Sequence, residues 1–317
     1  MLANKGTTSQ RFAVRDLKRH TGNKQLLQTS MQSMDVDLCS YSAVNWLKLQ
    51  PAIHILKTAR YRRIDRQYRK QPPRASVLGR SAGPELNLLI SIGFEDAELI
   101  DWQSRLVRRY VPSAEYVVVD NSTSEKGAQA IRIICEKNGC DYFLTPANPW
   151  CAFPSRSHGA AINWALDNVV RLRKPRAFGF IDTDIFPLEL TNPFAPLDRQ
   201  DFFGVVRHAA ARWYLWAGFC FFHFSLAEKL PLNFSQAWFL GLDTGGANWN
   251  VLYKHYVLSS LEKVETSFFS FKQGIDLADG PLQKCGPWIH EVGQMGRPDL
   301  YPEKRQTLKR LLEQHLN

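Results

Sequence analysis

The 317-residue sequence contains no uninterrupted apolar run of about 18 residues, so no transmembrane helix is expected. Its most aromatic stretch, W-Y-L-W-A-G-F-C-F-F-H-F (213–224), is too short to cross a bilayer and reads as a buried strand. Six cysteines, at 39, 135, 140, 151, 220 and 285, include no C-x-x-C pair. In a chain of this length that argues against a disulfide framework or a zinc site and for reduced thiols. Met1 is not followed by a charged segment and an apolar core, so no secretory leader is expected and the chain reads as cytoplasmic. Acidic residues are scarce at one end only. Residues 1–80 hold 16 Lys and Arg against 4 Asp and Glu, whereas 81–317 hold 24 against 26. The net charge of +10 therefore belongs to the N-terminal segment, and no nucleic-acid partner is expected for the rest.

What is present divides the chain. Residues 1–40 are polar and expected to be poorly ordered. Residues 41–80 read as a basic helical extension and linker. The helix is broken at Pro51, and 59–70, A-R-Y-R-R-I-D-R-Q-Y-R-K, carries Arg60, Arg62, Arg63, Arg66, Arg69 and Lys70. Such a helix either docks on an anionic membrane surface with its aromatics at the interface, which would place the protein peripherally on the inner membrane face, or packs its Tyr and Ile side on the main domain. Residues 71–85 form a linker by Pro and Gly content.

Hydrophobic residues make up 44%, enough for a substantial core. L-N-L-L-I-S-I (86–92) is a near-continuous apolar run, suited to a strand covered on both faces. Further strands are expected at 115–120, 141–145 and 177–182, alternating with helices at 101–110, 128–138 and 155–170. That alternation predicts an α/β domain over 81–300 with a mostly parallel sheet, followed by a C-terminal helix at 301–317. Right-handed crossovers put the strand C-termini on one edge, where ligands bind in such folds. Asp120 and Asp182 end two of these strands.

G-F-I-D-T-D-I-F-P (179–187) places two carboxylates together after an apolar strand. In an extended segment residues i and i+2 share a side, so Asp182 and Asp184 suit a hard divalent cation that fills its other positions with water and phosphate oxygens. Other residue types fit an anionic ligand nearby. His158 and Gly159 open the helix S-R-S-H-G-A-A-I-N-W-A-L, whose N-terminus offers free N–H groups. Asp243, in G-L-D-T-G-G, has the chemistry of a general base, and His290, in W-I-H-E, that of a metal ligand.

The order S-I-G-F-E-D, V-V-V-D-N-S-T-S, S-H-G-A-A-I-N-W-A-L, F-I-D-T-D-I-F-P, A-G-F-C-F-F, G-L-D-T-G-G, W-I-H-E resembles the GT-A nucleotide-sugar-dependent glycosyltransferases, closest to glycosyltransferase family two, over about residues 86–295. The resemblance implies a GT-A (Rossmann-like) fold and a UDP- or GDP-sugar donor. It also implies Mn²⁺ or Mg²⁺ and transfer to a hydroxyl of a glycan or lipid-linked acceptor with inversion, as in polysaccharide biosynthesis. Ile92, Gly93, Phe94, Asp120, His158 and Asp182 match donor-binding positions. Asp184 and His290, with Asp182, match the metal ligands, and Asp243 matches the catalytic base. Trp216, Gly218, Trp238 and Thr244 are the expected acceptor-binding residues. The chain departs from family two at the base, where L-D stands for the common E-D. A haloacid-dehalogenase phosphatase needs Thr or Val where Phe186 stands. A sugar nucleotidyltransferase would open with a Gly-rich basic loop where this chain has S-I-G-F-E-D. A non-enzymatic membrane-associated adaptor on a degenerate fold is the third alternative.

Overall fold

The computed structural model describes residues 51–78, 87–237, 240–274, 277, 281–292 and 299–316. The expectation for residues 1–40, the start of the basic extension, and Trp238 lie outside them. Strand β2 (Asn87–Gly93) is buried along its whole length, as its apolar run requires. Leu88, Ile90 and Ile92 face one core, with Val117, Val119, Phe178 and Phe180 from neighbouring strands, and Leu89 faces another with Val118 and Ile181. This period-two split is that of a sheet covered on both faces.

The central sheet has seven strands in the order β1-β4-β3-β2-β5-β8-β7. β2, β3 (Ala114–Asp120), β4 (Asp141–Leu144) and β5 (Ala177–Asp182) are mutually parallel. β1 (Ala75–Val77) pairs antiparallel with β4, β8 (Arg212–His223) antiparallel with β5, and β7 (Phe202–Ala209) antiparallel with β8 in a hairpin. The aromatic run is thus the buried strand β8. The chain proceeds outward from β2 through β3 to β4, then returns to place β5 on the other side of β2. The C-terminal ends of β2 and β5 flank this reversal, with Ile92 opposite Asp182. A second, four-stranded sheet has the order β6-β11-β10-β9, from β6 (Ile185–Pro187), β9 (Thr266–Ser270), β10 (Pro281–Cys285) and β11 (Trp288–Glu291).

Helices cover both faces. α2 (Ala97–Tyr110) is capped by Asp96, whose side chain accepts from Leu99 N, and α3 (Glu125–Asn138) by Ser124 and, at its other end, by left-handed Gly139. α4 (Pro154–Ala165) starts on a proline, lacks a side-chain cap, and continues through a π-helical turn at Leu166–Val170. α5 (Phe224–Lys229) follows β8, and α6 (Tyr301–Leu316) inserts Leu308 and Leu312 among Leu99, Trp102 and Phe186.

The basic helix α1 (Pro51–Arg69) packs against α4. Tyr68 is 1% exposed, and Tyr61 and Ile64 pack on the main core. Arg69 makes a two-pronged ion pair with Asp167 (2.7 and 2.9 Å). Asp65 accepts from Trp150 Nε1 (2.6 Å). The Arg156 guanidinium lies 3.9 Å from the Tyr61 ring centroid and 3.6 Å from that of Trp150. The aromatics that the lipid-docking alternative put at a membrane interface therefore face the protein, as its rival expected. Arg60, Arg62, Arg63, Arg66 and Lys70 remain outward as an exposed cationic ridge. No helix among the described residues is long and apolar enough to cross a membrane.

Because α1 is buttressed by a buried aromatic, Tyr68→Ala should cost about 3–5 kcal/mol in urea unfolding, the range for an aromatic deleted from a core. A loss under about 1 kcal/mol would mean that α1 is dispensable to the fold.

Candidate functional site

β5 ends at Asp182, Thr183 and Asp184 form a turn, and β6 starts at Ile185. The D-x-D is therefore a corner between the two sheets, and the i, i+2 rule for extended chain does not apply across it. The corner is held by a residue that motif reasoning missed. Gln103, fully buried on α2, donates from Nε2 to the carbonyls of Asp182 (2.7 Å) and Ile185 (2.6 Å), and its Oε1 accepts from Tyr116 OH (2.6 Å). The sequence signal is a polar residue on the buried face of an amphipathic helix.

The two carboxylates meet different partners. Asp182 Oδ1 lies 3.0 Å from His158 Nε2, with both side chains about one quarter exposed. Burial alone would lower the pKa of His158, but the Asp182 carboxylate outweighs it and the net shift is upward. Burial opposes ionisation of Asp182, but His158 foremost, with Arg207, overcomes it and its pKa is lowered. A Cβ on Gly218 would stand 2.4 Å from Asp182 Oδ2 and 2.4 Å from the Trp216 ring, so glycine is required for both to occupy this corner.

Asp184 is deeper. Its carboxyl pKa is pushed well above the usual range, first by burial, then by the charges of Asp182 and Glu291. The small sheet delivers His290 to it: His290 sits opposite Ile185 in the β11–β6 ladder, and Glu291 N donates to the Asp184 carbonyl (2.9 Å). His290 Nδ1 donates to Gln283 Oε1 (3.0 Å), leaving Nε2 as a bare lone pair 3.6 Å from Asp184 Oδ1. Burial pushes the His290 pKa down to about 3, so the imidazole is neutral and the contact is not an ion pair. Asp184 Oδ1 is itself a buried atom with no hydrogen-bond partner. A lone pair and an orphaned carboxylate oxygen at this spacing lie within reach of one cation bonded to both at about 2.0–2.1 Å. A second-atom donor bond from the histidine to an amide carbonyl is the usual support of a metal-ligating imidazole. Among the described residues, no three His, Cys, Asp or Glu side chains converge into a closed metal site. Asp184 and His290 could therefore supply at most two protein ligands to a cation here.

The remaining expected residues divide. Gly93 and Ile92 end β2 beside this corner, and Phe94 is 50% exposed next to them. Asp120 is on the same edge, opposite Gly93, but is fully buried. Its Oδ1 accepts from Ser122 N (2.8 Å) and its Oδ2 from Tyr142 OH (2.9 Å). In this structure it closes an Asx turn and does not open toward a ligand. Asp243 is exposed, accepts at Oδ1 from Gln236 Nε2 (2.9 Å), and raises the His158 pKa, which places it on the same side of the site. Thr244 is buried and donates to the Ser155 carbonyl (3.0 Å), tying the Asp243 turn to the start of α4. Gly159 lets the Phe234–Ser235 segment approach α4, since a Cβ there would stand 2.8 Å from the Phe234 carbonyl, and it would also touch Thr244 Cγ2 at 3.4 Å. Trp216 lies with its ring centroid 4.8 Å from that of His290.

Two other features were not anticipated. Asn121, Asn148 and Ser157 form a hydrogen-bonded cluster joining the end of β3 to the start of α4 (2.8–3.0 Å). Glu95, in the left-handed region (φ 57°), accepts from Thr123 N (2.7 Å) and Ser124 N (2.8 Å) and so fills the N-terminus of α3.

No protein-family model and no curated protein matches the sequence. Among solved structures, the chain is similar to the mannosyltransferase PcManGT from Pyrobaculum calidifontis in complex with GDP-Man and Mn²⁺. Identity is 14% and the TM-score 0.34, covering 63% of this chain and 58% of that one. It is also similar to the mannosyltransferase Ktr4p from S. cerevisiae, at 10% identity and TM-score 0.32, covering 66% of this chain and 74% of that one. Neither overlap is close enough to carry those enzymes' activity to this chain.

The His158–Asp182 pair has a defined pH window. The raised imidazole pKa makes its contribution complete below the ordinary histidine value of 6.5 and lost as pH rises through the folded value. The lowered carboxyl pKa makes the pair persist above the ordinary carboxylate range and fail as pH falls through the folded value. In an NMR titration of the metal-free protein, His158 should titrate above 6.5, and in Asp182→Asn, where burial acts unopposed by that charge, it should move downward. An unchanged midpoint in the variant would refute the pairing.

Proposed function

We propose that the corner between β5 and β6 binds a nucleoside-diphosphate sugar (UDP- or GDP-linked) with Mn²⁺ or Mg²⁺, and that the protein is a glycosyltransferase of the GT-A type, similar to family two. The acceptor is a hydroxyl of a glycan or lipid-linked glycan. The carrying observation is that the small sheet brings the His290 lone pair to the orphaned oxygen of Asp184 where the order of the parallel strands reverses. That is the ligand-binding locus of doubly wound sheets.

Asp184 and His290 would hold the cation, which when bound offsets the charge of a departing diphosphate. Asp182, kept ionised and oriented by His158, faces the donor ribose. Ile92, Gly93 and Phe94 line the nucleoside side, with the exposed Phe94 ring available to a base. Asp243, exposed on the facing turn, takes the proton from the acceptor hydroxyl as it attacks, so transfer inverts the anomeric centre. Trp216 and Gly218 form the wall toward the acceptor. Glu95 weighs against a nucleotidyltransferase: it puts a carboxylate, engaged by Thr123 N and Ser124 N, in the loop after β2 where such an enzyme would need a Gly-rich basic loop.

Three outcomes test this. Thermal-shift measurement should show stabilisation by UDP or GDP that requires Mn²⁺, whereas no response to either nucleotide would favour a non-enzymatic adaptor. Asp184→Ala should lose transfer by several kcal/mol of barrier, about a thousandfold or more, and transfer at the wild-type rate would remove it from the metal site. Asp243→Asn should bind donor normally and lose transfer, and near-normal turnover would exclude it as the base.

A further inference from the structure

Strand β8 pairs with β5 as far as Ile181 opposite Phe219, and the β7–β8 hairpin then continues past the end of β5. Residues 206–217 therefore overhang the Asp182–Asp184 corner. Two arginines, Arg207 and Arg212, lie on this overhang, and Arg207 is the one beside the Trp216 ring. Arg207, opposite Tyr214 in the hairpin, is half-buried, with its guanidinium carbon 5.0 Å from the centroid of the Trp216 ring. That ring is in turn 4.8 Å from His290 and shares with Asp182 the space that a Gly218 side chain would fill. Arg207 makes no ion pair within 4.0 Å among the described residues.

Three other half-buried arginines each pair with a carboxylate: Arg69 with Asp167, Arg173 with Glu115, Arg305 with Asp96. Arg207 has an aromatic face beneath it and, among the described residues, no carboxylate within 4.0 Å. A planar guanidinium on an aromatic platform retains its edge N–H groups for a bidentate anion, and phosphate oxygens match that fork. The negative groups it overhangs are those proposed to hold a cation, so a diphosphate bridging the cation and the arginine would satisfy both.

We propose that Arg207 is a binding residue for the diphosphate of the nucleotide donor, reached from the hairpin side and independent of the helix N-termini. This rests on the nucleotide-sugar assignment above, and the experiment separates the two. Titration calorimetry would compare GDP, UDP and the corresponding monophosphates, with Mn²⁺ and with EDTA, on wild type, Arg207→Lys and Arg207→Met. Wild type should prefer a diphosphate. Arg207→Met should bind it roughly tenfold or more weakly and lose the preference over the monophosphate, and Arg207→Lys should fall between. A second measurement needs no variant: phenylglyoxal should modify the Arg207 peptide of wild-type protein, read by mass spectrometry, and nucleoside diphosphate with Mn²⁺ should protect it. Wild-type diphosphate affinity in Arg207→Met, or modification unaffected by nucleotide, would overturn the role of Arg207 while leaving the nucleotide site standing. Failure of wild type to bind either diphosphate would overturn both.

Discussion

A single amide nitrogen, Nε2 of Gln103, holds the carbonyls of Asp182 and Ile185 together and so fixes the corner at which the two sheets join. A turn there without internal partners would bury two carbonyl oxygens unpaired, each at a cost of about 1–3 kcal/mol. Gln103 is itself locked by Tyr116 from β3. The corner is thus positioned by the central sheet and by α2, not by the acids it presents. β6 leaves the corner as the edge of the small sheet, and through it His290 and Glu291 arrive beside Asp184.

Electrostatics follows from that placement. Two carboxylates are brought close together where water is largely excluded, and their compensation is unequal. Asp182 has His158 and remains an anion, while Asp184 is left with a neutral imidazole and a raised pKa. The asymmetry comes from chain origin: His158 is carried by α4 and keeps partial exposure, whereas His290 lies within a buried ladder where a charged ring would be costly. The corner thus holds one ionised carboxylate, one uncompensated carboxyl and one bare imidazole nitrogen. Lys304 and Arg305, from α6, lie near Glu291 on its inner side, which makes the C-terminal helix part of the same charge balance.

The strands were legible because their patterns were strong: 86–92 was expected and Asn87–Gly93 is found, 115–120 against Ala114–Asp120, 177–182 against Ala177–Asp182. Continuous apolar runs bounded by polar residues leave few other conformations. The D-x-D was legible as a composition but not as a conformation, since an extended segment and a corner carry the same three letters. Asp120 was placed on the correct edge, yet the partner that seals it, Tyr142, comes from another strand and could not be anticipated. Gln103 and Arg207 belong to no motif. Each is set apart only by what surrounds it.

By itself, the sequence determined that the chain alternates strands and helices, that a basic segment precedes the main domain, and that two acids end a buried strand. These are properties of local pattern, in which each residue answers to neighbours a few positions away. The tertiary structure alone decided that α1 turns its tyrosines inward and that Asp120 is closed while Asp182 is open. It alone set the tautomer of His290 through Gln283 and brought Arg207 over Trp216. Those outcomes depend on burial and on partners distant in the chain. Desolvation and pairing, which govern the charge of every acid and imidazole here, exist only once the chain has closed around them.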